Sequence, residues 1–367
     1  MYDFNLLKQA RETLAADSMP FLDAHRDQVQ RNKPYQGLTI LHNVPLTLVT
    51  VFKIEVLALG GAVVTTTSPS FFPVENRAAD LLKQAHFKVQ TDHQFHETFD
   101  LHLDCCAELA HLPSPKLGAV ELTQSGSKLY QSASSNYPVV SIDDSKLKVL
   151  ETFFGTGDGF YRALHQRVGN DLQNKPFVVF GHGKVGRGIV YALQQFASHI
   201  TVIDLKSNLT VRSPGVQYID AHNKKAIREA IATAFCTITA TGIKDLLTDF
   251  YAFHKSDFGS SILTNMGADD EYGPNFESND VVFDKRAFNF SLTEPTAFRY
   301  LDPIFYSHNV AIDLILSKQV NTGYNPFPQD MAHNILNTWQ SIYNENMEEA
   351  LRDSELKKPP FVRPDCC

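Results

Sequence analysis

Gly181-His182-Gly183-Lys184-Val185-Gly186 sets three glycines in the spacing G-x-G-x-x-G, and Asp204 closes the apolar run that follows, residues 200–203. Each position has a physical job in gripping a dinucleotide. The first glycine permits a tight turn, the second lets the backbone approach a pyrophosphate, and the third lets helix and strand pack closely. The pyrophosphate then rests on the N-terminus of the helix that Lys184 and Val185 open. Asp204 would accept hydrogen bonds from the adenosine ribose and repel a 2′-phosphate, which favours NAD over NADP, with Lys206 close enough to temper that preference. The spacing gains its weight from context: residues 177–180 read as a strand, and Ile189, Val190, Leu193 and Phe196 as the apolar face of a helix. A glycine-rich turn that binds nothing would carry the same letters.

Two later runs fit the same cofactor domain. Residues 236–242 end in Thr241 and Gly242, and residues 262–267 end in Asn265 and Gly267, so both are strands whose last backbone groups can meet a cofactor at the carboxyl edge of a sheet. Turn chemistry alone would favour the same residues. Elsewhere, Asp104 and Glu121 end apolar strands and suit either an acid–base pair or helix capping. His42 closes a strand, where ligand sites gather. Lys148 lies on a helix, where a solvated lysine is the ordinary alternative. His93, His96, His102, Cys105 and Cys106 are zinc-ligand types, but their spacing matches no common zinc pattern; a histidine-rich surface strand is expected, with no metal. Cys236 sits inside an apolar strand and reads as core.

These residues need a scaffold, and the chain alternates accordingly. A helical lead-in over residues 3–30, with Pro20 opening its second stretch, precedes a strand at 38–41 and a helix through Leu59 that stops at Gly60-Gly61. Strands at 62–66, 87–89 and 99–104 follow, with a helix over 74–85 between the first two. Strand, helix and strand in succession imply a parallel sheet with crossover helices. A helical run from Asp144 to about Gly169 holds Gly155, Gly157 and Gly159, which suggests a kink or hinge between domains. A second strand–helix series starts at Lys175.

Composition bounds the rest. The chain has 367 residues, 43% hydrophobic and 20% charged, which suits folded domains rather than disorder. Its net charge of −8 offers no basic excess for nucleic acid or an anionic membrane. The most apolar stretch, residues 44–64, carries Lys53 and Glu55 in its middle, where bilayer burial would be costly. With no apolar leader block and an odd cysteine count, a cytoplasmic protein with reduced thiols is expected. The adjacent Cys366 and Cys367 do not fit the usual prenylation pattern, and the tail reads as a surface segment.

The order of motifs resembles the adenosylhomocysteinase family, NAD-dependent hydrolases of S-adenosylhomocysteine. The likeness runs through residues 16–22, Lys33-Pro34 to His42, Glu121-Leu-Thr123-Gln-Ser125-Gly126, Ser141 to Lys148, Thr239 to Gly242, and Asn265 to Gly267. It implies an α/β fold of two Rossmann-like parallel-sheet domains, the NAD-binding domain inserted into a discontinuous substrate domain. Its boundaries would be 1–155 and 295–345 for the substrate domain, 156–294 for the NAD domain and 346–367 for a tail. It also implies a redox-masked elimination, in which NAD oxidises the nucleoside 3′-hydroxyl, the 5′-thioether leaves, water adds and the ketone is reduced. A small nucleoside-like substrate and a homo-oligomer, dimer or tetramer, go with it.

Residue by residue, the resemblance puts His42 on the family's first-strand histidine and Lys148 on its catalytic lysine. Thr123 and Ser125 fall on threonines that approach the nicotinamide. The family's paired aspartates have become Asp104-Cys105, its Glu-Glu pair Glu121-Leu122, the histidine after Asn-x-Gly is Ala268, and His-Pro is Glu294-Pro295. The segment after Lys148 is one residue short, and the tail lacks the family's cofactor-closing lysine and tyrosines. Each missing acid or base typically costs roughly 10²- to 10⁴-fold in rate. The expectation is an enzyme with an altered catalytic set. A catalytically silent NAD-binding regulator is one alternative. A 2-hydroxy acid dehydrogenase using Arg299, Glu294 and His308 is the other.

Overall fold

The computed structural model describes residues 2–14, 19–70, 72, 74–209 and 212–351; Cys366, Cys367 and part of the opening motif lie outside the described residues. Its strands are β1 (Thr39–Asn43), β2 (Val63–Thr67), β3 (Lys88–Val89), β4 (Leu101–Asp104), β5 (Gly118–Glu121), β6 (Pro138–Ser141), β7 (Pro176–Phe180), β8 (His199–Asp204), β9 (Val216–Asp220), β10 (Cys236–Thr239), β11 (Ile262–Asn265), β12 (Val281–Ala287) and β13 (Gly323–Pro326). The chain divides into two units, Met1–Lys148 with Phe298–Glu345, and Val149–Ala297 with Asn346–Cys367.

The first unit is built on a seven-stranded sheet in the order β13-β6-β5-β4-β1-β2-β3, and the second on a six-stranded sheet in the order β12-β11-β10-β7-β8-β9. All pairings among these strands are parallel. Both are therefore doubly wound Rossmann-like sheets. In each, the strand order reverses once, between β1 and β4 and between β7 and β10, and such a switch point opens a crevice at the carboxyl edge.

The core of the first unit contains charge. The helix Leu48–Leu59 is buried along its whole length, Lys53 and Glu55 included. Glu55 lies 3.5 Å from Arg11 and 3.4 Å from Arg26, so its burial is compensated by two guanidinium groups. The helix stops at Gly60-Gly61, where Gly61 takes the left-handed turn at φ +97°.

Strand β4 differs from the alternating surface strand expected at 99–104. All four of its residues are buried, because crossover helices cover both faces of a parallel sheet. His102 is thus a core residue rather than part of a histidine-rich surface, and neither of its ring nitrogens has a hydrogen-bond partner among the described residues.

In the second unit the expected kink near Gly155 is a π-helical turn, Leu150–Gly155, which runs directly into the helix Thr156–Val168. Gly157 and Gly159 do not interrupt that helix. A Cβ on Gly157 would come within 2.3 Å of the Gly188 carbonyl oxygen, and one on Gly188 within 2.1 Å of the Phe153 carbonyl oxygen. The glycines let this helix lie backbone-to-backbone against the helix Lys184–Leu193 that the glycine fingerprint opens.

Two outcomes follow from this packing. Gly188→Ala must push apart two backbones that have no side chain to yield, and should lower the urea unfolding free energy by about 1–3 kcal/mol. Burial lowers the His102 pKa to about 4 from its ordinary value of 6.5. The unfolded chain therefore takes up the proton first as pH falls, and stability is lost between about 6.5 and 4. His102→Leu should remove about 2 kcal/mol of the difference in unfolding free energy between pH 8 and pH 5.

Candidate functional site

The glycine fingerprint forms the turn from β7 into the helix Lys184–Leu193. Gly181 has φ +98°, and a Cβ on Gly186 would sit 2.0 Å from the Gly181 carbonyl oxygen, so the turn excludes side chains at both places. Gly183 is the N-cap and offers no side chain to the first-turn amides of Lys184, Val185 and Gly186. No acidic residue lies in that turn. A helix start without a capping side chain or an acidic neighbour leaves its N–H donors for an anion, and a dinucleotide pyrophosphate fits.

Asp204 ends β8 beside this turn. Its carboxylate accepts from the backbone amides of His182 and Leu205, the latter at 2.6 Å, and from Asn208 Nδ2 at 2.8 Å. A carboxylate has about four lone-pair sites, so one remains for a ribose hydroxyl. The His182 ring is buried and meets Tyr218 of β9 edge-on at 5.3 Å.

The two later loops are held by side chains. Glu271 accepts from the Thr241 amide at 2.9 Å, the Thr241 hydroxyl at 2.6 Å and the Gly242 amide at 2.7 Å. Burial raises its pKa, and these donors counter the shift. Asn265 accepts from Thr239 Oγ1 and the Gly267 amide, both at 3.0 Å, and donates to the carbonyls of Asp269 and Lys285. Thr241, Gly242, Asn265 and Gly267 thus belong to one braced edge. Glu271, which sequence reasoning missed, holds half of it; its place in the acidic run Asp269-Asp270-Glu271 gave no clue to burial.

In the first unit, His42 reaches the end of β1 at the switch point and is wholly buried. Its Nε2 lies 2.9 Å from Nζ of Lys53, and its Nδ1 lies 3.4 Å from Thr66 Oγ1. Burial pushes the Lys53 amine well below its usual range, and burial with the Lys53 charge does the same to His42. His308, on the helix Phe298–Leu316, donates from Nε2 to the Val120 carbonyl at 3.0 Å, and its buried Nδ1 has no hydrogen bond among the described residues. Burial, then the Lys53 charge, lowers its pKa well below the ordinary value, and Lys148 adds to this. Lys148 itself is buried, not a surface lysine. The result is a group of nitrogen bases: His42, Lys53, His308 and Lys148. Sequence reasoning picked out His42 and Lys148 as hydrolase-like groups. Lys53 was hidden in an apolar run, and His308 lay far along the chain, considered only for a dehydrogenase.

Asp104 and Glu121 occupy the ends of neighbouring strands. Asp104 accepts from Asn43 Nδ2 at 3.0 Å, the Cys105 amide at 2.8 Å, the Leu109 amide at 3.0 Å and the Tyr130 hydroxyl at 2.8 Å. Glu121 accepts from the amides of Cys106, Ala107 and Thr123 at 3.0, 3.0 and 2.7 Å, and from the Thr123 hydroxyl at 2.6 Å. Burial raises both pKa values. Thr123 also caps the helix Gln124–Ser132 by accepting from the Gly126 amide. These carboxylates fill their lone pairs with the chain's own donors.

Residues 168–273 match a family model described as NAD(P)-binding, so the second unit carries an NAD(P)-binding domain. The chain is similar to S-inosyl-L-homocysteine hydrolase of Methanopyrus kandleri, 25% identical over 72% of this chain and 68% of the relative. It is similar also to adenosylhomocysteinase of Thermotoga maritima, 23% identical over 68% and 67%. The chain is thus a distant relative of adenosylhomocysteinases. Among solved structures, a dipicolinate synthase chain of Bacillus halodurans is similar at a TM-score of 0.46, 10% identical over 77% of this chain and 98% of that one. No described helix is long and apolar enough to cross a membrane.

Glu121→Ala strands four donors in a buried loop, and should lower the unfolding free energy by about 3 kcal/mol or more in denaturant titration. Glu271→Ala frees the Thr241-Gly242 loop, and should weaken NAD binding about tenfold in calorimetry while the circular dichroism spectrum is kept.

Proposed function

We propose that the protein is an NAD-dependent enzyme acting on a nucleoside thioether, with nitrogen bases taking over the proton transfers that carboxylates and histidine perform in the hydrolases it resembles. The observation that carries this reading is the buried contact of His42 Nε2 with Lys53 Nζ at 2.9 Å, at the switch point of the first unit's sheet. Burial lowers the pKa values of Lys53, His42 and His308, which favours the neutral form that a general base needs. His308 Nδ1 is the acceptor left open. Lys148 is the group we assign to the substrate hydroxyl, and His42, oriented by Lys53, the group assigned to the leaving sulfur. Asp104 and Glu121 contribute by holding the loops after β4 and β5 in place.

NAD, when bound, supplies a hydride acceptor for a carbon that bears a hydroxyl group. Gly181, Gly183, Gly186 and the amides of Lys184 and Val185 would hold its pyrophosphate. Asp204 would hold the adenosine ribose, and its charge favours NAD over the 2′-phosphorylated form. We place Thr123 near the nicotinamide on the resemblance alone.

Thiol release tests the reading. The purified protein is incubated with S-adenosylhomocysteine and, separately, S-inosylhomocysteine, while homocysteine thiol release and NADH absorbance are followed. One substrate should release thiol, and Lys148→Met should lower kcat by roughly 10²- to 10⁴-fold. Neither signal from protein that retains stoichiometric NAD would overturn the proposal. That outcome would favour a catalytically silent NAD-binding regulator, a reading to which the filled lone pairs of Asp104 and Glu121 lend support.

A further inference from the structure

Directly after Asp104, two cysteines stand side by side at the carboxyl edge of the first unit's sheet. Cys105 is buried and Cys106 half-buried, with their sulfurs 3.8 Å apart. The Cys105 thiol and the Ser125 hydroxyl donate to Cys106 Sγ, and Thr123 Oγ1, whose proton goes to Glu121, lies 3.5 Å from it. The Cys106 amide is held by Glu121 Oε1 and by Thr123 Oγ1. The two thiols are therefore unequal: one is enclosed, and the other is partly open to solvent with donors around its sulfur.

We propose that Cys105 and Cys106 form a reversible oxidation site, in which Cys106 is the thiolate that attacks a peroxide and Cys105 the thiol that resolves the product. Donors aimed at a sulfur stabilise its anion, and reactive cysteines are those with thiolate character, access and a resolving partner. The site is independent of the reaction proposed above. Both sulfurs sit on a carboxylate-braced loop, and the donors from Cys105 and Ser125 offset the nearby negative charge at Cys106.

The chemistry balances with hydrogen peroxide as the oxidant. The Cys106 thiolate attacks one peroxide oxygen; an S–O bond forms, the O–O bond breaks and hydroxide leaves. The Cys105 sulfur then attacks Cys106 and displaces the sulfenic oxygen. An S–S bond forms, and the Cys105 proton leaves with that oxygen as water. Two thiols and one peroxide give one disulfide and two waters. A ring closed between adjacent residues is strained, and strained disulfides are readily reduced again by a dithiol.

Peptide mass spectrometry of the full-length protein tests this, because the tryptic fragment 89–116 holds Cys105 and Cys106 and no other cysteine. Peroxide should remove two hydrogens from that fragment, and dithiothreitol should restore them. Cys105→Ser should instead accumulate a sulfenic acid at Cys106 that dimedone traps, while Cys106→Ser should leave Cys105 unreactive. The iodoacetamide rate at Cys106 should titrate with a midpoint near the value of about 6 to which Cys105, Ser125 and Thr123 lower its pKa. At pH 7 that leaves Cys106 with a thiolate fraction roughly thirtyfold above that of an ordinary thiol. Peroxidation of Cys106 in the wild type without loss of two hydrogens, or a midpoint near that of a free thiol, would overturn the proposal.

Discussion

Carboxylates that accept from loop amides set the form of both sheet edges of this protein. A parallel strand that ends at a switch point hands the chain to a loop whose amides have no strand to pair with, and burying them unmet is costly. Asp104 and Glu121 in the first unit, and Asp204 and Glu271 in the second, meet that need. Each takes two or more backbone donors from the loops at its sheet edge. The loops keep fixed shapes as a result, and every side chain carried on them inherits that placement.

This use of acid has a chemical consequence in the first unit. A carboxylate whose lone pairs are filled by amides cannot also move protons without giving up its structural bonds. The proton-active groups left near the same edge are nitrogen bases and sulfur. The charge that acts on His42 and His308 is that of Lys53, a base like themselves, whereas Glu55 on the same helix as Lys53 is neutralised by two arginines. Burial and like charge then act on the bases in one direction and lower their pKa values. Placement alone thus favours the neutral form of these bases.

Much of the scaffold was legible because it depends on local rules. The fingerprint glycines announce a turn that no side chain can enter, and strand–helix alternation implies parallel sheets. What the sequence hid are features that depend on tertiary burial. Lys53 and Glu55 look like exclusions of a membrane span, yet both end in the core of a protein helix. Gly157 looks like part of a kink or hinge, but it is where one helix backbone nearly touches another at Gly188. His102 alternates with its neighbours in polarity, and only the covering of both sheet faces decides that it is buried. Glu271 has no local signature, since its partners Thr241 and Gly242 lie some thirty residues earlier.

The two edges therefore differ in how they can change. In the cofactor unit, the requirement is for bare backbone: a turn without Cβ atoms, a helix start without a cap, loops braced from behind. Such a site tolerates few alternatives, because steric exclusion at 2.0 Å admits no substitute for Gly186. In the first unit the bracing carboxylates meet the backbone's needs, and the residue beside Asp104 is released from that duty. Its side chain can then change chemical type without disturbing the loop. A thiol stands there, next to a second thiol on the same braced loop. The constraint that fixes the backbone is what frees the side chain.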